Sequence, residues 1–242
     1  MNSCHRVLQL ICACVFALGL AGCNQQSPQQ VPAPAPPVDL PALRARADQG
    51  DPAAQAQLGR LYLKGEVVTN SYTEAAKWFL LAADKGNVDA EAALGELYEA
   101  GQGVPQDMKK ALQCYRQAAE KGHAGAQYTM GFMAECGRGL PQDQVEAAKW
   151  FHKAAEQGEP LSQFDLGQRY QKGIGVQVDL VESYKWLKLA ADQKQPDAIA
   201  LLKEVGAKLS STDLAEAKKR VASFEPIKPA AAGGRAEAKK QS

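Results

Sequence analysis

Few side chains in this chain have both the type and the spacing that chemistry requires. His123 and His152 have no second ligand at metal-binding spacing. The run Gly101-Gln102-Gly103 imitates half of a dinucleotide-binding fingerprint, but it is expected to join two helices rather than a strand to a helix. Glu96 and Glu99 lie at i, i+3 on a predicted helix face, where carboxylates are ordinarily solvated. We therefore predict no catalytic residue, no cofactor and no metal site, and hence a protein that is not an enzyme.

The elements that would position these side chains come from a 36-residue repeat that occurs four times. The units begin at Gly50, Gly86, Gly122 and Gly158. Each unit contains a large apolar residue directly followed by glycine, and later an aromatic residue or leucine that precedes an alanine pair by three positions. The apolar–glycine pairs are Leu58-Gly59, Leu94-Gly95, Met130-Gly131 and Leu166-Gly167. The residues that precede the alanine pairs are Phe79, Tyr115, Phe151 and Leu187. A fixed period in this range predicts a solenoid.

The third unit shows how one repeat should fold into two helices. Ala126, Met130, Met133 and Ala134 fall on one stripe of a first helix, which Gly137 should end in a left-handed cap. Asp143 should cap a second helix, as should Asp107, Asp179 and, more weakly, Ser71 in the other units. That second helix would bury Ala147, Trp150, Phe151, Ala154 and Ala155.

One such hairpin cannot bury both of its apolar stripes, so the units must stack. The sequence therefore predicts an all-α fold, a right-handed solenoid of four to five helix-turn-helix repeats with terminal capping helices. The capping helices are expected at Leu40 to Gln49 and from Ser211 or Thr212 to about Ser223. The solenoid with its caps is predicted to cover residues 39–225.

The first 22 residues are typical of a secretory signal. They contain no acid, and Val7 to Leu20 is an apolar run too short to span a membrane. The segment Leu20-Ala21-Gly22-Cys23 resembles the lipobox of bacterial lipoproteins, in which the cysteine is diacylated and becomes the new amino terminus. We therefore expect residues 1–22 to be a lipoprotein signal peptide and Cys23 to be lipidated. The alternative is a plain signal peptide followed by an incidental cysteine.

Both ends of the expected mature chain have compositions that do not favour a folded core. Residues 23–38 are rich in Pro and Gln and predict a disordered tether. The residue after the expected lipidated cysteine is Asn24 and not Asp, the residue that would favour the inner membrane. We therefore expect a location on the periplasmic side of the outer membrane. Residues 226–242 predict a disordered tail, and the net charge is −4 over residues 39–202 and +4 over residues 203–242. The basic tail either contacts an anionic surface weakly or is simply solvated.

Two cysteines remain in the expected folded part, Cys114 and Cys136. If their helices run antiparallel, Cys136 lies about 9 Å beyond the residue opposite Cys114, at about 1.5 Å per residue. A disulfide requires Cα atoms within about 7 Å. We therefore expect two unpaired thiols.

Two segments carry a resemblance to a known family. The runs from Leu94 to Asp107 and from Glu146 to Gly158 resemble the Sel-one-like repeat, a relative of the tetratricopeptide repeat, over residues 40 to 205. The chain departs from the family pattern at Cys114, Ala134 and Val67, where Trp, Tyr and Gly are usual. The resemblance implies a scaffold for assembling other proteins, as in bacterial envelopes and eukaryotic quality-control complexes.

By analogy with tetratricopeptide geometry, the position after the helix glycine lines the concave face. Phe132 occupies this position in the third unit, where the other units have polar residues, so it is a candidate anchor for a partner. Filling the core is the alternative role for Phe132. The other candidate partner-binding residues are Glu96, Glu99, Glu135, Arg60, Lys64, Gln168 and Lys172.

Taken together, these features predict a lipid-anchored envelope scaffold that binds a protein or peptide partner, and no nucleic-acid partner. Two alternatives stay open. One is an envelope enzyme or a peptidoglycan- or glycan-interacting protein, with its site at the repeat ends or in the basic tail. The other is a regulator that restrains a signalling or secretion complex.

Overall fold

The structure is a computed structural model that describes residues 38–65 and 69–227. Within these ranges the chain forms eleven α-helices and no β-strand, which confirms the predicted all-α repeat fold. The helices are α1 Leu40–Asp48, α2 Pro52–Lys64, α3 Tyr72–Ala83, α4 Val88–Ala100, α5 Met108–Glu120, α6 Ala124–Cys136, α7 Gln144–Glu156, α8 Pro160–Lys172, α9 Leu180–Asp192, α10 Pro196–Lys208 and α11 Ser211–Ala222. The predicted signal peptide, Cys23, nearly all of the tether and residues 228–242 lie outside the described residues.

No helix in the described part of the chain is both long and apolar enough to cross a membrane. The four units are the helix pairs α2–α3, α4–α5, α6–α7 and α8–α9, which we call units one to four. Each pair is an antiparallel hairpin, and each second helix packs against the first helix of the next unit.

Side chains at the helix starts explain why every hairpin bends where it does. Asp143 Oδ1 accepts hydrogen bonds from the backbone N–H groups of Val145 and Glu146 at 2.9 and 3.0 Å. The same cap occurs at Ser71, Asp107 and Asp179, as predicted. The first helices of the four units end at Gly65, Gly101, Gly137 and Gly173, all with φ between 67° and 73°. This left-handed conformation favours glycine, so a turn is fixed at the end of each first helix.

The glycine inside each first helix lets the hairpin close tightly. A Cβ atom on Gly95 would lie 2.6 Å from Cε1 of the Tyr115 ring. The aromatic ring of the second helix therefore rests directly on the backbone of the first. Gly59, Gly131 and Gly167 meet Phe79, Phe151 and Leu187 in the same way, which accounts for the repeated pairing of these positions.

A line of glutamines ties successive units together inside the stack. The side-chain amides of Gln55, Gln127 and Gln163 donate to the backbone oxygens of Ala47, Ala119 and Ala155 at 3.0, 3.0 and 3.2 Å. All three glutamines are buried, and each bond joins a first helix to the preceding second helix or to α1. Glu91 occupies this position in unit two and pairs instead with Lys121 of its own hairpin.

The two ends of the stack are covered as predicted, though in different ways. Leu43 and Ala47 of α1 are buried against α2 and Trp78. At the other end α10 continues the stack, whereas α11 folds back and packs on α9. The chain after α11 stays close to the body, because the backbone N–H of Ile227 donates to the oxygen of Glu156 at 2.8 Å.

The prediction for the cysteines is confirmed in one case only. Cys114 is a free, half-buried thiol, and burial raises its pKa, helped by the charge of Glu91. Cys136 is disulfide-bonded, so the expectation of two unpaired thiols is wrong for this residue. The spacing argument excluded only a bridge between these two cysteines.

Candidate partner-binding face

The candidate residues lie on α2, α4, α6 and α8, the first helices of the four units. We call the surface formed by these helices the first-helix face. Arg60, Glu96, Phe132 and Gln168 occupy the same position in successive units of this surface. Arg60 and Glu96 are exposed, as are Lys64 and Lys172, while Gln168 is half-buried.

Glu99 is held by groups from two other elements. The Tyr115 hydroxyl donates to Glu99 Oε2 at 2.8 Å, and Arg138 Nη1 lies 2.9 Å from Glu99 Oε1. Arg138 belongs to the turn of unit three, so this ion pair joins units two and three. Burial and the neighbouring Glu99 carboxylate raise the pKa of Tyr115, which keeps its hydroxyl a donor. The negative charge of Glu99 is therefore compensated by Arg138, and its carboxylate is not free to contact a partner.

Glu135, the equivalent acid of unit three, is held by an arginine of unit four. Arg169 Nη2 lies 3.1 Å from Glu135 Oε1, and Arg169 Nη1 donates to Gln144 Oε1 at 3.1 Å. The guanidinium also lies 4.8 Å from the centre of the Phe151 ring, within range of a cation–π contact. Arg169 is only 3% exposed. Its contacts reach α6 and α7 from α8, so it fastens units three and four together.

Asp165 stands one helical turn before Arg169 on α8. Burial, and after it the charges of Glu135 and Glu159, raise the pKa of Asp165 to about 7 against the opposing charge of Arg169. The Tyr128 ring packs against Phe151 at 5.6 Å, and burial with the charge of Asp165 raises the pKa of its hydroxyl. The charges of two carboxylates, Glu135 and Asp165, thus act on one guanidinium, and burial favours the protonated form of Asp165.

Glu96 is the carboxylate that remains open at the middle of the face. Partial desolvation, and then the charge of Glu99, raises the pKa of Glu96, although its side chain is exposed. Toward the N-terminal end, Arg60 Nη1 pairs with Asp89 Oδ2 at 3.1 Å, and both side chains are about half exposed. The face therefore presents mixed charge rather than the acidic centre that counting residues suggests.

Phe132 does not stand open on this face. Its side chain is only 9% exposed, so the expectation of a large apolar ring open to a partner is wrong. The burial favours the core-filling role that the sequence left as the alternative. Its assignment to partner binding stays a prediction, and the polar neighbours carry more of the accessible surface.

Sequence reasoning missed three contributions to the site: the buried Arg169, the raised pKa of Asp165 and the Tyr115 hydroxyl. Arg169 had a visible signal, because Leu61, Leu97 and Met133 occupy its position in the other units. A charged residue in an apolar repeat position predicts a specific partner. His123 was also underestimated: its Nδ1 accepts from the backbone N–H of Ala126 at 3.0 Å and caps α6. His152 is half-buried, with its ring against that of Trp186.

The arrangement suits recognition by surface contact. Among the described residues no group of three or more His, Cys, Asp or Glu side chains could hold a metal ion. On the first-helix face, Glu99 and Glu135 are held by ion pairs with arginines of the next unit. Glu96 and Lys172 are exposed. Such a surface can bind an extended or helical segment through several small contacts.

Comparison with known proteins gives the repeat a family. The model of the Sel1 repeat matches residues 52–87, 88–123, 124–159 and 160–194, more than half of the chain. The crystal structure of a protective antigen present in uropathogenic Escherichia coli strains, which displays an SLR fold, is 36% identical with a TM-score of 0.67; the match covers 76% of this chain and 41% of that one. A Sel1 repeat protein from Oxalobacter formigenes is 40% identical with a TM-score of 0.65, over 67% of this chain and 48% of the other.

This chain thus spans less than half the length of both matched structures. No curated protein matches it significantly. Four consecutive repeat matches, together with the stacked hairpins and their shared helix glycines, show that the chain belongs to the Sel1 repeat family.

Proposed function

We propose that this protein is a non-enzymatic scaffold that binds a protein or peptide partner on its first-helix face and is held at a bacterial envelope membrane by lipid on Cys23. Membership of the Sel1 repeat family supports a role in protein–protein interaction. The lipobox-like segment Leu20-Ala21-Gly22-Cys23 supports the lipid anchor. Asn24, where an Asp would favour the inner membrane, supports a location on the periplasmic side of the outer membrane.

The observation that carries the binding proposal is the way charge is fixed on the first-helix face. Glu99 and Glu135 are each paired with an arginine of the next unit, at 2.9 and 3.1 Å. These pairs fix the positions of neighbouring units relative to one another. The exposed side chains of Glu96 on α4 and Lys172 on α8, the helices that these pairs connect through α6, are therefore presented at a fixed spacing. Preorganisation of this kind reduces the entropy that binding costs.

Charge reversal on this face tests the proposal. We expect Glu96→Lys combined with Lys172→Glu to reduce the recovery of cross-linked envelope partners by roughly tenfold, because the reversed side chains would face like charges on the partner, at a cost of about 1–2 kcal/mol. Both side chains are exposed, so helicity and melting should not change. Lys109→Glu, at an exposed position of the second helix α5, is the matched control and should leave recovery unaltered. Equal recovery from all three proteins would contradict the assignment of the face.

The lipid anchor has a separate test. Cys23→Ala should move the protein from the membrane fraction to the soluble periplasmic fraction, since two or three acyl chains provide the anchoring free energy at about 0.8 kcal/mol per CH₂ group. Cys114→Ala removes a cysteine of the folded body and should leave fractionation unchanged. Membrane association that survives Cys23→Ala would refute the anchor.

A further inference from the structure

The chain that follows α11 returns to unit three along the second helices α9 and α7, whose surface we call the outer side. We call residues 223–227 the C-terminal clasp. The Phe224 ring meets the Trp186 ring edge-on, with centroids 5.5 Å apart and an interplanar angle of 77°. Three residues later the backbone N–H of Ile227 donates to the oxygen of Glu156, at the end of α7. The clasp therefore bridges α9 and α7, the second helices of units four and three.

Several polar contacts hold the clasp and α11 in place. Arg220 Nη1 lies 2.7 Å from Glu182 Oε1, which fastens α11 to α9. The Lys185 ammonium lies 4.1 Å from the centre of the Trp186 ring and 5.8 Å from that of Phe224, so one cation contacts both rings. Between the clasp and the helices lies a cavity of about 300 Å³, lined by residues of α7, α9, α11 and the clasp itself.

The place where the clasp lands is the joint that positions α8. Glu156 ends α7, and a Cβ atom on Gly158 would lie 3.6 Å from Pro226 of the clasp. Glu159, the next residue, caps α8 by accepting from the backbone N–H of Leu161 at 3.0 Å. The helix that starts there carries Gln168 and Lys172 of the first-helix face. A segment on the outer side thus touches the junction from which part of the candidate binding surface begins.

We propose that the C-terminal clasp is a latch that fixes the α7–α8 junction and thereby sets the position of the α8 side chains on the first-helix face. The second half of this statement rests on the proposed function; the first half does not. Arg169 fastens α8 to unit three from inside, and the clasp fastens the same joint from outside. Opening of the clasp would release only the outer fastening, because α8 keeps its buried apolar contacts.

Hydrogen exchange measured on the full chain tests the latch. Ile227→Pro removes the N–H that donates to Glu156, whereas Ile227→Ala keeps it and shortens a side chain that is already exposed. We expect Ile227→Pro, and Phe224→Ala through loss of the ring pair, to speed exchange of the amides of residues 157–163 by roughly tenfold. Ile227→Ala should leave these amides unchanged. Residues 121–127, the equivalent junction between units two and three, provide an internal reference that no variant should affect.

Two truncations separate the clasp from the segment that follows it. Ending the chain after Ala222 should reproduce the faster exchange, and ending it after Ile227 should not. Equal exchange in the two truncated proteins, or equal exchange in Ile227→Pro and Ile227→Ala, would overturn the latch. Faster exchange without any loss of partner recovery would keep the latch and refute its link to the binding face, and this outcome differs from failure of the charge-reversal test on Glu96 and Lys172.

Discussion

The joint between units three and four is fastened differently from the joint between units one and two. At the joint of units three and four, the buried Arg169 pairs with the partly exposed Glu135, the Gln163 amide donates to the oxygen of Ala155, and the clasp bridges the outer side. At the joint of units one and two, Arg60 and Asp89 form an ion pair that is exposed to solvent. Glu91 there occupies the glutamine position and pairs with Lys121 of its own unit instead of donating across the joint.

Both joints bury apolar side chains, and they differ in their polar groups. Ala56, Phe79 and Leu94 are buried at the joint of units one and two, and Ala155, Leu166 and Trp186 at that of units three and four. The repeat pattern dictates this shared packing. Individual substitutions such as Arg169 and Glu91 then decide how firmly each joint is held, and repeat stability depends on such neighbour terms.

The largest expected effect is the difference in stability loss between removing Arg169 and removing Arg60. Arg169→Ala should lower the free energy of unfolding by about 3–5 kcal/mol, because it leaves the Glu135 carboxylate and the Gln144 amide without their buried partner. Arg60→Ala should lower it by at most about 1 kcal/mol, since its ion pair is screened by water. Urea unfolding of both variants measures the difference, and similar losses would show that the joints are fastened equally.

Asp165 gives the joint of units three and four a dependence on pH. The folded-state pKa of Asp165 is about 7 against an ordinary value of 3.8, so the folded protein holds this proton more tightly than the unfolded chain. The carboxylate therefore destabilises the fold increasingly as pH rises from about 4 to above 7. Asp165→Asn should raise stability by about 2–4 kcal/mol at pH 8 and have little effect below pH 4.

Urea titrations at pH 4 and pH 8 check this sign directly. Asp89→Asn, at the joint of units one and two, serves as the control, because Asp89 is about half exposed and paired in solvent. A gain from Asp165→Asn that is equal at both pH values would mean that the substitution acts through packing rather than through charge.

The smallest effect is expected from exchanging Glu and Gln at the position of the glutamine line. Glu91→Gln should raise stability by about 1 kcal/mol, because the amide can donate to the oxygen of Ala83 and still accept from Lys121. Gln127→Glu makes the opposite change at the joint of units two and three. It should cost about 1–3 kcal/mol, since the donor to Ala119 is lost. If both exchanges act in the same direction, the glutamine line does not account for the difference between joints.

The features predicted well from the sequence are those that recur in every unit. Asp143 and Gly137 were predicted as caps because capping needs only a local side chain or a permissive backbone, and the structure confirms both. The apolar stripes that contain Met130 on α6 and Phe151 on α7 were predicted because helical periodicity alone defines them. Local chemistry repeated four times leaves little ambiguity.

The features missed depend on which helices meet across the stack. Glu99 and Glu135 looked like open acids, because nothing in the sequence shows that Arg138 and Arg169 of the following unit reach them. Phe132 was placed by analogy with another repeat, and its burial shows that this position does not leave a large ring exposed here. The path of the clasp had no repeat pattern to reveal it.

The claim that the first-helix face binds the partner is tested most directly by photo-cross-linking in cells that produce the protein. A photo-reactive amino acid at Gln168, on that face, should yield a discrete cross-linked partner. The same amino acid at Arg116, exposed on the second helix α5, should yield none. Cross-linking of one partner from Arg116 and not from Gln168 would contradict the account.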